Sequence, residues 1–173
     1  MTSQADEEFR TWASAGREPL RRTAFLLSGD WHLADDLAQD ALVRIYQAWP
    51  RLQRRGDLGG YARRVLVNLF LDHQRRPARR ERSTDAVPDH ASLGEGTAAD
   101  RENLLDALRA VPPRQRAVLV LRYWEDLSVE QTAQLLGTSA GTVKSQTSRG
   151  LVSLRAALAE RGMAHTLNLQ EQP

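Results

Sequence analysis

The chain has 173 residues, 41% of them hydrophobic, and a formal net charge of +2. That is enough apolar material for one medium or two small packed cores. It holds no cysteine, which excludes disulfides and thiolate–metal sites, and no run of about twenty apolar residues that could span a bilayer. The opening MTSQADEEFR is acidic without an apolar stretch, so it does not read as a signal peptide, and a cytoplasmic protein is expected.

Helical periodicity runs through the whole chain and strand patterns are scarce, so the fold class expected is all-α. Residues Thr2 to Glu8 are expected to fray. A first helix is expected from about Phe9 to Leu27, with Pro19 near a break or restart and Leu20, Ala24 and Leu27 inward. Gly29 to His32 read as a turn. The next helix runs from near Leu33 to Trp49, where Pro50 is expected to end it. Ala34, Ala38, Leu42, Ile45 and Trp49 form its inward stripe, with Leu37 and Ala41 beside it. Asp35, Asp36 and Asp40 suit the positive end of that helix. With His32 they could be taken for metal ligands, but no second ligand cluster at typical spacing accompanies them, so no metal and no cofactor are expected.

Arg51 to Gly60 reads as a basic, glycine-containing loop. Tyr61 to Gln74 returns to helix, with Ala62, Val65, Leu66, Leu69 and Phe70 apolar. Charge is unevenly spread here. Arg51, Arg54, Arg55, Arg63, Arg64, Arg75, Arg76, Arg79, Arg80 and Arg82 are opposed by Asp57, Asp72 and Glu81 alone. Such a segment suits a polyanion partner. Residues 83–100 hold no Lys or Arg, carry Asp85, Asp89, Glu95 and Asp100, and read as a flexible acidic linker. Two small helical domains, 9–82 and 101–160, are expected on either side of it, with a short tail over 161–173.

In the second domain, Leu104, Leu105 and Leu108 predict a helix ending at Pro112-Pro113, and Arg114 to Trp124 predict another. The most informative stretch follows. Ser128 with Gln131 makes a capping box, Gly137 offers the left-handed stop, and Ser139 caps a new helix almost at once. Ala140, Val143, Thr147, Leu151, Leu154 and Leu158 form the buried stripe of that helix. Thr142, Lys144, Ser145, Gln146, Ser148 and Arg149 occupy its other face, with no carboxylate from Ser139 to Leu158. Hydrogen-bonding side chains at the exposed start of a second helix are how a helix-turn-helix reads the major groove.

Two blocks resemble one family. VPPRQRAVLVLRYWEDLSVEQTAQLLGTSAGTVKSQTSRGLVSLR is similar to region 4 of bacterial sigma-70 family factors. LLSGDWHLADDLAQDALVRIYQAWPRL with YARRVLVNLFLDHQRR is similar to region 2. The order and length resemble the small extracytoplasmic-function (ECF) class. The chain departs from the pattern at Tyr61-Ala62, where many members have Trp-Leu. The resemblance implies a factor that binds core RNA polymerase, through the β′ clamp helices and the β subunit, and directs promoter-specific initiation. It implies polymerase contacts at Asp36, Gln39, Asp40 and Arg44. It implies −10 element contacts at Arg54, Arg55, Tyr61, Arg63, Arg64, Asn68, Arg75 and Arg76. There Tyr61 would be the stacking platform for an unpaired base, its alternative reading being a core aromatic under the loop, with Asn68 a base-edge reader and the arginines phosphate contacts. It implies −35 contacts at Thr142, Lys144, Ser145, Gln146 and Arg149, with Arg114 and Arg116 on phosphate. An anti-sigma factor is a further partner of the class.

The rival reading is an autonomous helix-turn-helix regulator. A recognition helix with two or three basic contacts has a salt slope of only about −2 to −3, and such regulators compensate by dimerising on paired half-sites. No dimerisation helix is apparent after Arg161. An enzyme is not expected, because His32, His73, His90 and His165 are scattered with no nucleophile–base pair or phosphate loop. A flexible linker of roughly twenty residues spans about 25 Å, whereas DNA elements nearly two helical turns apart lie roughly 50–60 Å from one another. The free protein should therefore be compact, with its DNA surfaces partly covered by contact between the domains. Small-angle scattering should give a compact profile, and an extended one would contradict this.

Overall fold

The computed structural model describes residues 3–53, 56–76 and 97–163. Among these, all regular structure is helical. Helix α1 is Gln4–Ser28, α2 Trp31–Leu52, α3 Leu58–Arg75, α4 Ala98–Ala110, α5 Pro113–Leu119, α6 Val129–Leu136 and α7 Ala140–Glu160. Arg54, Arg55 and most of the acidic linker lie outside the described residues, as do Arg79, Arg80, Arg82 and the tail beyond Met163.

Sequence expectations change at several points in the first half. Helix α2 begins at Trp31, inside the expected turn, and α3 at Leu58, inside the expected loop. The chain start is helical rather than frayed, because Ser3 and Asp6 form a reciprocal capping box. Phe9 and Trp12 then pack on Trp49, with ring centroids 5.2 and 5.6 Å away. Pro19 does not break α1. A proline inside a helix costs about 3 kcal/mol, but Leu20, Ala24, Phe25 and Leu27 are buried beyond it and Phe9 and Trp12 are packed before it. Each fully buried large apolar side chain contributes about 1.5–3 kcal/mol, so packing wins. Pro50 likewise lies inside α2, because Trp49 and Leu52 on either side of it are both buried.

The α1–α3 bundle is closed by Ala34, Ala38, Ala41 and Ile45 of α2 against Leu66, Val67 and Phe70 of α3. Leu105, Ala117, Val120, Leu121 and Leu135 of the second half belong to the same buried cluster, so the two halves share a core. The linker also ends earlier than expected. Thr97 and Asp100 form a capping box, and α4 begins at Ala98. Helix α4 packs with α5 and α7 through Ala107, Val111, Leu119, Leu151, Leu154 and Leu158.

The helix expected over 114–124 changes character midway. After Leu119 the turns widen over Val120–Trp124, and the Glu125 amide donates to the Val120 carbonyl five residues back. Asp126 then takes φ 52°, a left-handed conformation that aspartate tolerates.

Arg116 was expected on phosphate, and the structure contradicts this. Its side chain is buried in the joint between the halves. Its guanidinium donates to the Leu27 carbonyl at 2.7 Å, to Arg109 at 2.7 Å and to Val111 at 3.0 Å. Leu27 closes α1, and Arg109 and Val111 close α4, so one side chain satisfies carbonyls that two helix ends leave unpaired. Burial, with the nearby charge of Arg109, pushes its pKa down to about 10. It is still protonated at neutral pH, so the brace is insensitive to pH through the physiological range. Removing it strands buried carbonyls. Arg116→Met should lower unfolding stability by roughly 2–4 kcal/mol in urea titration, whereas Arg114→Ala, at an exposed position, should leave it within about 0.5 kcal/mol.

Candidate nucleic-acid and polymerase interfaces

The helix-turn-helix forms as its caps require. Ser128 Oγ accepts from the Gln131 amide at 3.0 Å, and the Ser128 amide donates to Gln131 Oε1 at 2.8 Å. Gly137 stops α6 at φ 63°, which a side chain would strain. Ser139 accepts from the Thr142 amide at 3.0 Å and starts α7. Val118, Ala133 and Val143 make the small core that fixes the angle between α6 and α7.

This core turns Thr142, Lys144 and Arg149 outward to solvent and leaves Ser145 and Gln146 half-buried. The Thr142 hydroxyl shares a hydrogen bond with Ser139 Oγ at 2.9 Å, and Ser145 donates to the Thr142 carbonyl at 3.0 Å. Their hydroxyls are therefore partly used within the helix start. Among the described residues, nothing ties down Lys144, Gln146 or Arg149. Arg114, in the first turn of α5, lines a cleft of about 400 Å³ with Gln74, Arg75, Gln115 and Gln146. The cleft brings the end of α3 beside the start of α7.

On α3, the residues expected to meet DNA fall into two groups. Asn68, Arg75 and Arg76 are exposed, Arg75 beside Asp72 at 3.5 Å. Tyr61 is half-buried, its ring packed against the main core. Arg63 and Arg64 are engaged by the second half. Arg63 donates to the Glu125 carboxylate, which also accepts from the buried Thr23 hydroxyl. Arg64 donates to the carbonyls of Gln134 at 3.0 Å and Leu135 at 3.2 Å, at the C-terminal end of α6.

Asp36, Gln39, Asp40 and Arg44 are all exposed on α2, three- and four-residue steps apart, so they share one side of the helix. Val43 lies among them, 50% exposed. Asp35, weighed with His32, Asp36 and Asp40 as a metal ligand, pairs with Arg21, whose guanidinium also lies over the Trp31 ring at 4.1 Å.

Sequence reasoning missed Glu125, Arg109 and Thr23, whose partners are far away in the chain, and it misplaced Arg116. A signal for Arg116 existed. It shares a helical stripe with Leu119 and Val120, so the periodicity placed it inward. For Val43 the signal was its position among the polar residues of α2.

Residues 12–81 match the family description "Sigma-70 region 2", and residues 101–154 match "Sigma-70, region 4". The chain is 40% identical over 168 residues to an RNA polymerase sigma-E factor of Streptomyces avermitilis, covering 95% of this chain and 93% of the relative. It is 36% identical over 154 residues to the ECF RNA polymerase sigma factor SigL of Mycobacterium tuberculosis, covering 83% and 85%. In fold it is similar to the sigma factor RpoE of Bartonella quintana, solved with the anti-sigma factor NepR. The TM-score is 0.72 at 24% identity, covering 88% of this chain and 98% of that one.

Lys144→Ala and Arg149→Ala should each weaken use of a matched promoter by about 1–3 kcal/mol if the side chain reads a base. Arg114→Ala should instead weaken binding evenly across sequences and reduce the salt slope by about one. Salt-titrated run-off transcription of the three variants separates these outcomes.

Proposed function

The chain belongs to the sigma-70 family of RNA polymerase sigma factors, in its ECF class, and from that premise we propose how its surfaces divide promoter recognition. A sigma factor binds core RNA polymerase and directs promoter-specific transcription initiation, and that is the activity of this protein. In the proposal, residues 9–82 form the domain that docks on polymerase and holds the −10 element, residues 83–100 tether it, and residues 101–160 form the domain that reads the −35 element.

The observation that carries the division is the start of α7. Lys144 and Arg149 project from a capped, rigid helix with nothing bound to them among the described residues, on a face without acid. There α7 lies in the major groove at −35, with Gln146 toward a base edge and Arg114 on phosphate. Arg116 is not part of this surface. On α3, Asn68, Arg75 and Arg76 are available to the −10 strand. Arg63 and Arg64 join them once freed from Glu125 and the end of α6, and Arg54 and Arg55 precede them in the chain. Tyr61 offers the exposed part of its ring as a platform for an unpaired base, worth about 1–3 kcal/mol per stacked base.

The α2 face of Asp36, Gln39, Asp40 and Arg44 is the polymerase dock, on the β′ clamp helices. Val43 gives this polar face an apolar centre of the kind that carries binding energy when desolvated. The C-terminal domain reaches the β subunit. An anti-sigma factor is a further partner, the likeness to a sigma factor solved with one supporting this by fold alone. The chain supplies no catalytic group, and it works in the cytoplasm, where polymerase meets the chromosome. Purified core polymerase with this protein should yield run-off transcripts with a defined start. Asp40→Lys or Val43→Asp should lower polymerase affinity at least tenfold without changing the melting temperature. Unchanged affinity for both variants would move the dock elsewhere.

A further inference from the structure

We propose that the cleft between α3 and the α5–α7 pair is a binding site for a free nucleotide, a nucleoside carrying two or more phosphates. This goes beyond promoter recognition. The promoter reading uses Arg75 and Arg114 at two separate DNA elements, whereas here they border one cleft.

The cleft measures about 400 Å³, within the range of pockets that hold a small organic ligand. Arg75 closes α3 and Arg114 belongs to α5, so the two guanidiniums come from different halves of the chain. Among the described residues Arg114 has no ion partner, and Arg75 has Asp72 alone, at 3.5 Å. Both members of that pair are more than half exposed. Such a pair contributes little and yields to a better anion. None of the described residues that line the cleft is acidic. Two guanidiniums without a lining carboxylate suit a chain of phosphates, each able to take a bidentate pair of bonds.

Phosphate alone leaves the rest of the lining unused. Leu71, Pro112 and Pro113 give the cleft an apolar wall, from which an inorganic anion gains nothing. A planar heterocycle gains by burial there and by stacking on a guanidinium. Gln74, Gln115 and Gln146 add three amides. Each both donates and accepts, as the edge of a base and the hydroxyls of a ribose require. Gln74 and Gln146 have no side-chain partner among the described residues, and Gln115 accepts only from the Ser153 hydroxyl, at 3.2 Å. The amides are also held in place. Gly150 lies one turn beyond Gln146 on α7, and its bare backbone lets α7 approach α5. A Cβ there would come within 3.3 Å of Gln115. Phosphates for the arginines, a flat ring for the apolar wall and polar edges for the amides are the three parts of a nucleotide.

The test is calorimetric titration of the full chain, without polymerase or magnesium. The probes are adenosine and guanosine triphosphates, the two unphosphorylated nucleosides, and inorganic pyrophosphate. At least one triphosphate should bind with a micromolar Kd, and its nucleoside and pyrophosphate should bind at least tenfold more weakly. Arg75→Ala and Arg114→Ala should each weaken that binding roughly tenfold. Arg155→Ala, exposed on α7 and outside the cleft, should leave it unchanged. In heteronuclear NMR of the wild type, the side-chain amide signals of Gln74, Gln115 and Gln146 should shift on adding the triphosphate. Neither triphosphate binding at millimolar concentration would overturn the proposal. So would pyrophosphate binding as tightly as the triphosphate, which would mean an anion site alone. An equal loss in Arg155→Ala, or binding that persists in both cleft variants, would also overturn it. No readout here depends on transcription, so a failure of the promoter assignments would leave this result standing.

Discussion

Guanidinium groups placed on the carbonyl ends of helices tie the two halves of this molecule together over their shared apolar core. Arg116 donates to Leu27 at the end of α1, Arg109 to Gly29 just beyond it, and Arg64 to Gln134 and Leu135 at the end of α6. Each bond crosses between the N-terminal and C-terminal halves. A helix leaves its last carbonyls without partners, and where two halves close over such ends the carbonyls need donors or the burial is unfavourable. Arginine suits the task because its planar fork serves several acceptors and stays charged. Gly29 shows how tight the fit is. It sits at φ 71°, and a Cβ there would run into the Arg109 side chain.

The same chemistry suits DNA phosphate, which under the proposed −10 role would make the closed state reversible. Phosphate oxygens and helix-end carbonyls compete for one kind of side chain. Where the guanidinium is buried, as in Arg116, the Arg109 and Val111 carbonyls of its own half keep it. Where it lies at the rim, as in Arg63 and the exposed Arg64, phosphate can displace them. Burial, more than residue type, thus separates the arginines that brace the fold from those proposed to touch a promoter. The α2 face takes no part in this contest and is exposed in the closed chain.

Much of this was legible in the sequence, for local reasons. Ser128, Gln131, Gly137 and Ser139 lie within a few residues of what they cap, so the helix-turn-helix could be read directly. The inward stripes of α2 and α7 follow from three- and four-residue spacing. What failed was judgement between local and distant forces. Pro19 and Pro50 are strong local stops, overruled by Phe9, Trp12 and Trp49 packing across the bundle. The Ser3 and Asp6 box is also a local signal, though the expectation was for fraying there. Glu125 was not legible at all. Its partners, Arg63 and Thr23, are remote in the chain, and its direction depends on a widened turn that no residue pattern announces.

The central claim is that the free chain is closed by contacts that promoter DNA must replace. Distances between spin labels test it most directly, because the chain has no native cysteine and labels can be placed at will. Thr11 on α1 and Val152 on α7 are both exposed. The account predicts one short distance population in the free protein and a distinctly longer one in the complex with core polymerase and promoter. The same distance in both states, or a long one in the free protein, would contradict it.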